Sequence, residues 1–237
     1  MSVAAVVFDV DGTLIDYDRA RREGFARYAV ALGLPADGDA WDRWLTAEDV
    51  HFRRYLDGEL SFEDQRRERV RAFLAEPLDA AAADDWFAGY LTHFEASWRL
   101  FDDVPATLDA LAGLSLAAFS NVSGAYTRRK IEAVGLARVL VGAWGVDDVG
   151  AAKPAEATFL GLCERLGVPP ASVVHVGDRY GADALGAVQA GLTGVWLDRP
   201  GAEPDGRVPH GAPDPRVQVV SSLAELPALV RSRDLSG

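Results

Sequence analysis

The apolar run at residues 3–8 stops abruptly on an acid, Asp9, and gives way to Asp11 and a Gly12–Thr13 turn. A continuous Val-rich run of this length reads as a strand buried on both faces, the mark of a parallel sheet. Similar runs recur at 116–120, 139–144, 172–176 and 193–197, with helix-patterned stretches between them. Strands alternating with helices specify an α/β chain with a doubly wound parallel sheet. Ligands of such sheets bind at the carboxyl ends of the strands, so Asp9 stands where chemistry is done. Strand alternation is lost at Gly12, which lets Asp9 and Asp11 converge. Two close carboxylates repel unless a cation or a proton lies between them. Mg²⁺, a hard ion that prefers oxygen, suits that place.

Between residue 16 and about residue 98 the strand-like runs vanish, and Arg, Ala, Glu, Leu and aromatic residues take over. The pattern predicts helices at 19–32, 39–56, 61–74 and 84–98. Ser61, followed by Glu63 and Asp64, reads as an N-cap with acids in the first turn. A crossover between parallel strands needs one helix, not four. The segment 17–99 is therefore expected to form a helical cap domain, with 1–16 and 100–237 as the core. Beyond it the pattern predicts helices at 105–112, 123–134, 154–166, 183–190 and 223–230. It also predicts an irregular loop at 199–215 and a short edge strand at 217–220.

Lys plus Arg number 24 against 36 Asp plus Glu, a net charge of −12. That balance disfavours binding to a nucleic acid polymer. The lone cysteine, Cys163, excludes an intramolecular disulfide and a cysteine zinc cluster. Its helical companions Phe159 and Leu166 mark it as a packed thiol. No window has the length and apolarity of a membrane span, and the N-terminus lacks a basic region, so the expectation is a soluble, cytoplasmic protein. The only lysines are Lys130 and Lys153. Lys130, beside Arg128 and Arg129, reads as part of a solvated helix face. Lys153 follows a loop and precedes Pro154 at a helix start, where an ammonium can neutralise a phosphate oxygen and Asp9 together.

Two further features fall at strand ends. Ser120–Asn121 offers a hydroxyl, an amide and backbone N–H groups near the Ser123 helix start, a set able to hold a phosphoryl group. Gly177–Asp178 ends a buried strand, and Asp183 follows five residues later. Asp178 can complete an oxygen set around Mg²⁺, and Asp183 can orient Lys153 or metal-bound waters. His175, inside that strand, reads as a core histidine.

Taken in order, Asp9-x-Asp11-Gly12-Thr13-Leu14, Ser120-Asn121, Lys153-Pro154 and Gly177-Asp178-x-x-x-x-Asp183 resemble the four motifs of the haloacid dehalogenase superfamily, and the insert resembles the helical lid of one of its subfamilies. The resemblance spans the chain and implies a Rossmann-like core. It implies Asp9 as the nucleophile forming a phosphoaspartyl intermediate, and Asp11 as the acid that protonates the leaving oxygen and then activates water. It further implies Ser120 and the Asn121 backbone N–H as phosphate ligands, and Lys153 as the charge-stabilising cation. Asp9, Asp178 and the Asp11 carbonyl would hold Mg²⁺, with Asp183 behind them. The activity so implied is a Mg²⁺-dependent phosphatase acting on a small phosphorylated metabolite, such as phosphoglycolate, a sugar phosphate or a nucleotide. A phosphomutase, or a non-catalytic phosphate-binding protein on the same scaffold, is the alternative. The family's dehalogenases lack the second acid, so Asp11 argues against that activity. Its phosphonate hydrolases carry a cap lysine, and this segment has none. Oligomeric state is not legible.

Overall fold

The computed structural model describes residues 2–201 and 214–234. Most of the loop expected at 199–215 lies outside them. The chain separates into two compact units, Tyr17–Trp98 and the combined segments Met1–Asp16 and Arg99–Gly237.

The larger unit carries a six-stranded parallel sheet: β1 (Ala5–Phe8), β2 (Ser115–Phe119), β3 (Gly142–Trp144), β4 (Val173–Gly177), β5 (Thr193–Leu197) and β6 (Gln218–Val220). The strand order is β3-β2-β1-β4-β5-β6. The chain winds outward from β1 through β2 to β3, then returns to the other side of β1 with β4. The strand order therefore reverses at β1, the place where such sheets open a ligand crevice. Every residue of β1, β4 and β5 is buried, as the unbroken apolar runs require of strands covered on both faces. β3 is shorter than its apolar run because Val139 and Val141 are exposed and precede the ladder.

The smaller unit is all helical: α1 (Tyr17–Ala31), α2 (Gly38–Leu56), α3 (Phe62–Leu74) and α4 (Ala80–Glu95). Asp37, Ser61 and Asp79 cap α2, α3 and α4 through side-chain oxygens that accept backbone N–H groups. α4 begins four residues earlier than the pattern predicts and ends earlier too. Asp79 caps it at Ala82 N, 2.8 Å away, and the intervening alanines have high helix propensity but no apolar periodicity to announce them. The unit's core is aromatic: Trp44 is fully buried, with its ring 4.9 Å from Tyr90, 5.5 Å from Phe73 and 5.7 Å from Phe25. The Arg69 guanidinium stacks 3.7 Å over Trp44 and reaches Glu48 at 2.9 Å. α1 and α4 approach so closely at Gly24 that a Cβ there would lie 2.5 Å from the Phe94 Cα.

The core unit adds α5 (Val104–Ala110), α6 (Gly124–Ala133), α7 (Val146–Val149), α8 (Glu156–Leu166), α9 (Gly186–Gln189) and α10 (Leu226–Asp234). Two helices predicted as single elements are composite. Residues Tyr180–Leu185 wind as a π-helix before α9, and a 3₁₀ turn at Leu223–Glu225 precedes α10. α8 carries Phe159 and Cys163 into the core. Burial pushes the Cys163 thiol up to about 11, which leaves it an inert packing group.

Asp103 ties three parts of the core together. Its carboxylate accepts both Arg199 guanidinium nitrogens at 2.9 Å, the Ser222 hydroxyl at 2.7 Å and the Leu223 N–H at 2.9 Å. Asp103→Ala is expected to cost about 2–3 kcal/mol in urea unfolding at neutral pH, because it removes the carboxylate from a half-buried guanidinium and leaves it the Thr13 carbonyl at 3.1 Å. Burial opposes ionisation here, but the Arg199 and Ser222 contacts outweigh it and hold the Asp103 carboxyl below its usual range. A carboxyl lowered in the folded state stabilises above its unfolded pKa and loses that contribution as pH falls through the folded one. The gap between wild type and variant should therefore narrow in acid.

Candidate active site

The site is assembled at the carboxyl ends of the central strands. Asp9 is the first residue after β1, and its N–H donates to the Val176 carbonyl of β4 at 2.9 Å. Phe8 registers with Val176 on one side and Ala118 on the other, which brings Asp178 and Ser120 to the flanks of Asp9. Beyond Asp9 the chain doubles back: Leu14 and Ile15 both donate to the Val10 carbonyl. Gly12 makes this turn with φ of +86°, and a Cβ there would lie 2.3 Å from Asp178 Oδ2. Glycine is required twice over, for the left-handed backbone and for the approach of Asp178.

Lys153 stands between two acids. Its buried Nζ lies 2.6 Å from Asp9 Oδ1 and 2.6 Å from Asp183 Oδ1. The π-helical turn after β4 aims Asp183 inward, where Oδ1 is 3.3 Å from His175 Nε2 and Oδ2 accepts the Arg179 N–H at 3.0 Å. Trp196 on β5 donates its indole N–H to the Asp178 carbonyl at 3.1 Å and so fixes that strand end.

Burial, aided by Asp183 and Asp178, pushes the Asp9 carboxyl up to about 8 in spite of Lys153. Burial would also raise Asp183, but the Lys153 ammonium and His175 hold it well below the usual carboxylate range. Lys153 is raised above its ordinary value, because the two acids outweigh the burial that would lower it. Burial, with Lys153 nearby, pushes the His175 imidazole below its ordinary value in spite of Asp183. Lys153 and Asp183 thus form the ionised pair, and Asp9 wants either a proton or a cation.

Asp9, Asp178 and Asp183 are all buried and offer ligand atoms within 4.8 Å of one another. Three carboxylates against one ammonium, with Gly12 clearing room beside Asp178, make a hard-oxygen set suited to a divalent cation. Both Asp183 oxygens have protein partners, Lys153 and His175 at Oδ1 and the Arg179 N–H at Oδ2, so Asp183 stands behind Lys153.

Two details depart from the sequence expectation. The Asn121 side chain is engaged by Lys153. Its Nδ2 donates to the Lys153 carbonyl at 2.9 Å and its Oδ1 accepts the Lys153 N–H at 2.8 Å, a reciprocal clamp that anchors the lysine's backbone. The N–H groups at the start of α6 are also taken, Gly124 by Asp147 at 2.5 Å and Tyr126 by Ser123. Of the phosphate-holding groups expected there, the Ser120 hydroxyl and the Asn121 backbone N–H remain.

Lys130, read from sequence as solvated, is 2% exposed and places Nζ 2.5 Å from Asp11 Oδ2. Its arginine neighbours in sequence masked the signal, which lies in the spacing instead. Thr127, Lys130 and Ile131 share the buried face of α6, and a lysine one position before Ile131 at helical spacing from Thr127, in a chain that otherwise uses Arg, was the available clue.

Residues 3–191 match the haloacid dehalogenase-like hydrolases. N-acylneuraminate-9-phosphatase from Homo sapiens is 30% identical over 98% of this chain and 95% of its own length. Phosphoglycolate phosphatase from Salmonella typhi is 29% identical over 81% of this chain and 82% of its own. Among solved structures, the HAD-hydrolase YfnB from Bacillus subtilis, bound to magnesium, shares the fold with a TM-score of 0.79 at 21% identity, over 97% of this chain and 99% of that one. A 2-haloacid dehalogenase from Pseudomonas syringae has a TM-score of 0.65 at 26% identity, over 98% and 99%. With its parallel sheet, its ordered acidic motifs and this match across most of its length, the chain belongs to the haloacid dehalogenase-like hydrolases.

Proposed function

We propose that this hydrolase releases phosphate from a small phosphomonoester, with Mg²⁺ as cofactor and Asp9 as the nucleophile that carries the phosphoryl group. The observation that carries this reading is a second acid, Asp11, two residues beyond the buried Asp9 and held by its own ammonium. A halide departs without a proton, so a dehalogenase has no work for such a group. An alkoxide leaving group needs one.

Bound by Asp9, Asp178 and the Asp11 carbonyl, Mg²⁺ would supply charge neutralisation at the phosphoryl oxygens and the nucleophile. The Asp9 carboxylate attacks phosphorus. The bond to the ester oxygen breaks with its electron pair going to that oxygen, which takes a proton from Asp11. Water then attacks phosphorus and gives a proton to Asp11. The Asp9–phosphorus bond breaks, its pair returns to the carboxylate, and one ester and one water have become one alcohol and one phosphate. Ser120 and the Asn121 N–H orient the phosphoryl oxygens, and Lys153 offsets their charge. Most of the catalysis is positioning and electrostatics, as phosphoryl transfer requires.

The relatives' names make N-acylneuraminate 9-phosphate and phosphoglycolate the first substrates to try. A net charge of −12 does not suit a nucleic acid polymer, and among the described residues no helix is long and apolar enough to cross a membrane. The test is a panel of phosphomonoesters and 2-haloacids, assayed with Mg²⁺ and after chelation. Phosphate release that depends on Mg²⁺ is expected. Halide release that survives chelation, with no phosphate release, would overturn the proposal.

A further inference from the structure

We propose that Lys130 is a positioning residue for Asp11, an ammonium that holds one oxygen of the acid–base carboxylate so that the other is presented to the reacting group. This rests on the reading of Asp11 given above. The contact is short, 2.5 Å from Nζ to Oδ2, and Lys130 is buried while the Asp11 side chain is 24% exposed. Asp11 Oδ1 is itself buried and has no hydrogen-bond partner among the described residues. One oxygen is therefore anchored and the other is held out of water without a protein partner, the disposition expected of a group that must give and then take a proton.

The cation's chemistry supports the assignment. Of 24 cationic residues only Lys130 and Lys153 are lysines, and each contacts one acid of the Asp9-x-Asp11 pair. A compact ammonium can approach a single carboxylate oxygen without spanning both, whereas a guanidinium fork tends to engage the two together. The geometry adds a mechanical link. α6 starts just after Ser120–Asn121 and carries Lys130 on its buried face, so the helix that follows the phosphate loop also sets the acid. Small misplacements of a reacting group cost about 100-fold in rate, which is the scale of the effect expected here.

The test compares wild type, Lys130→Met, Asp11→Asn and the double variant, all with saturating Mg²⁺. The substrates are p-nitrophenyl phosphate and the alkyl phosphate that wild type hydrolyses fastest. The aryl oxygen leaves without a proton and the alkyl oxygen does not, and kcat/KM reports the step in which it leaves. Lys130→Met should lower kcat/KM for the alkyl ester by about 100-fold and for the aryl ester by about tenfold or less, with alkyl KM changed less than about threefold. In the Asp11→Asn background the same substitution should change kcat/KM by less than about twofold, because the two residues act as one unit. Equal losses on both esters, or losses that multiply in the double variant, would reduce Lys130 to a structural ion pair and overturn the assignment. Should Lys130→Met fail to fold, Lys130→Leu, which likewise removes the donor, is held to the same ratio. Wild type inactive on every phosphate ester would sink the phosphatase reading itself. An active wild type with an unchanged ratio in the variant sinks only the role of Lys130.

Discussion

Asp9→Asn is expected to lower phosphomonoester turnover by about 10⁴-fold or more while leaving the protein folded. An amide nearly matches the carboxylate in shape but is a poor nucleophile and a poorer ligand for a hard cation. The same substitution should alter stability in a way that activity assays alone would miss. With its carboxyl pushed up to about 8 from an ordinary 3.8, Asp9 stabilises the metal-free fold fully in acid. That contribution is lost as pH rises through this window. Metal-free wild type should therefore lose Tm between roughly pH 4 and pH 8 relative to Asp9→Asn. Adding Mg²⁺ should restore it, by preferential binding to the folded state, in wild type and far less in the variant. Thermal melts across that range, with and without Mg²⁺, check both halves. A variant that responds to Mg²⁺ as wild type does would remove Asp9 from the metal site.

Lys153→Met should be the most damaging substitution for the fold and the site together. It leaves Asp9 and Asp183, both buried, without the ammonium that lies 2.6 Å from each. Removing one partner of a buried pair costs about 3–5 kcal/mol, and loss of a preorganised cation at a transferring phosphoryl group costs on the order of 10²–10³ in kcat. Lys153→Arg keeps the charge but must fit a larger planar group into a side-chain site 3% exposed. Overpacking of about 1–3 kcal/mol and a strongly reduced kcat are expected for it too. Urea unfolding with steady-state kinetics separates the two costs. A Lys153→Arg protein with near wild-type rates would mean that charge alone, not the compact ammonium, is what the site uses.

Much of the fold was legible because its strongest features are local. The run ending at Asp9 and those that became β4 and β5 are buried throughout, so an apolar stretch could signal each strand directly. Ser61 announced its helix by chemistry that acts within one turn. What escaped the sequence depends on partners far along the chain. Lys130 meets Asp11 across 119 positions, and its adjacent arginines spoke only for the exposed side of the helix. The Asn121 amide was available to a phosphate until the loop before Pro154 folded against it and took both its atoms. The π-helical turn after Asp178 has no periodicity of its own, and its purpose, to aim Asp183 at Lys153 and His175, is visible only in three dimensions.

The central claim is that the phosphoryl group passes through Asp9. Borohydride added during turnover of a phosphomonoester with Mg²⁺ reduces an aspartyl phosphate to homoserine, and peptide mass spectrometry locates the change. Conversion at Asp9, dependent on both substrate and Mg²⁺, is the predicted result. Turnover with Asp9 unmodified, or with the conversion at another acid, would contradict it.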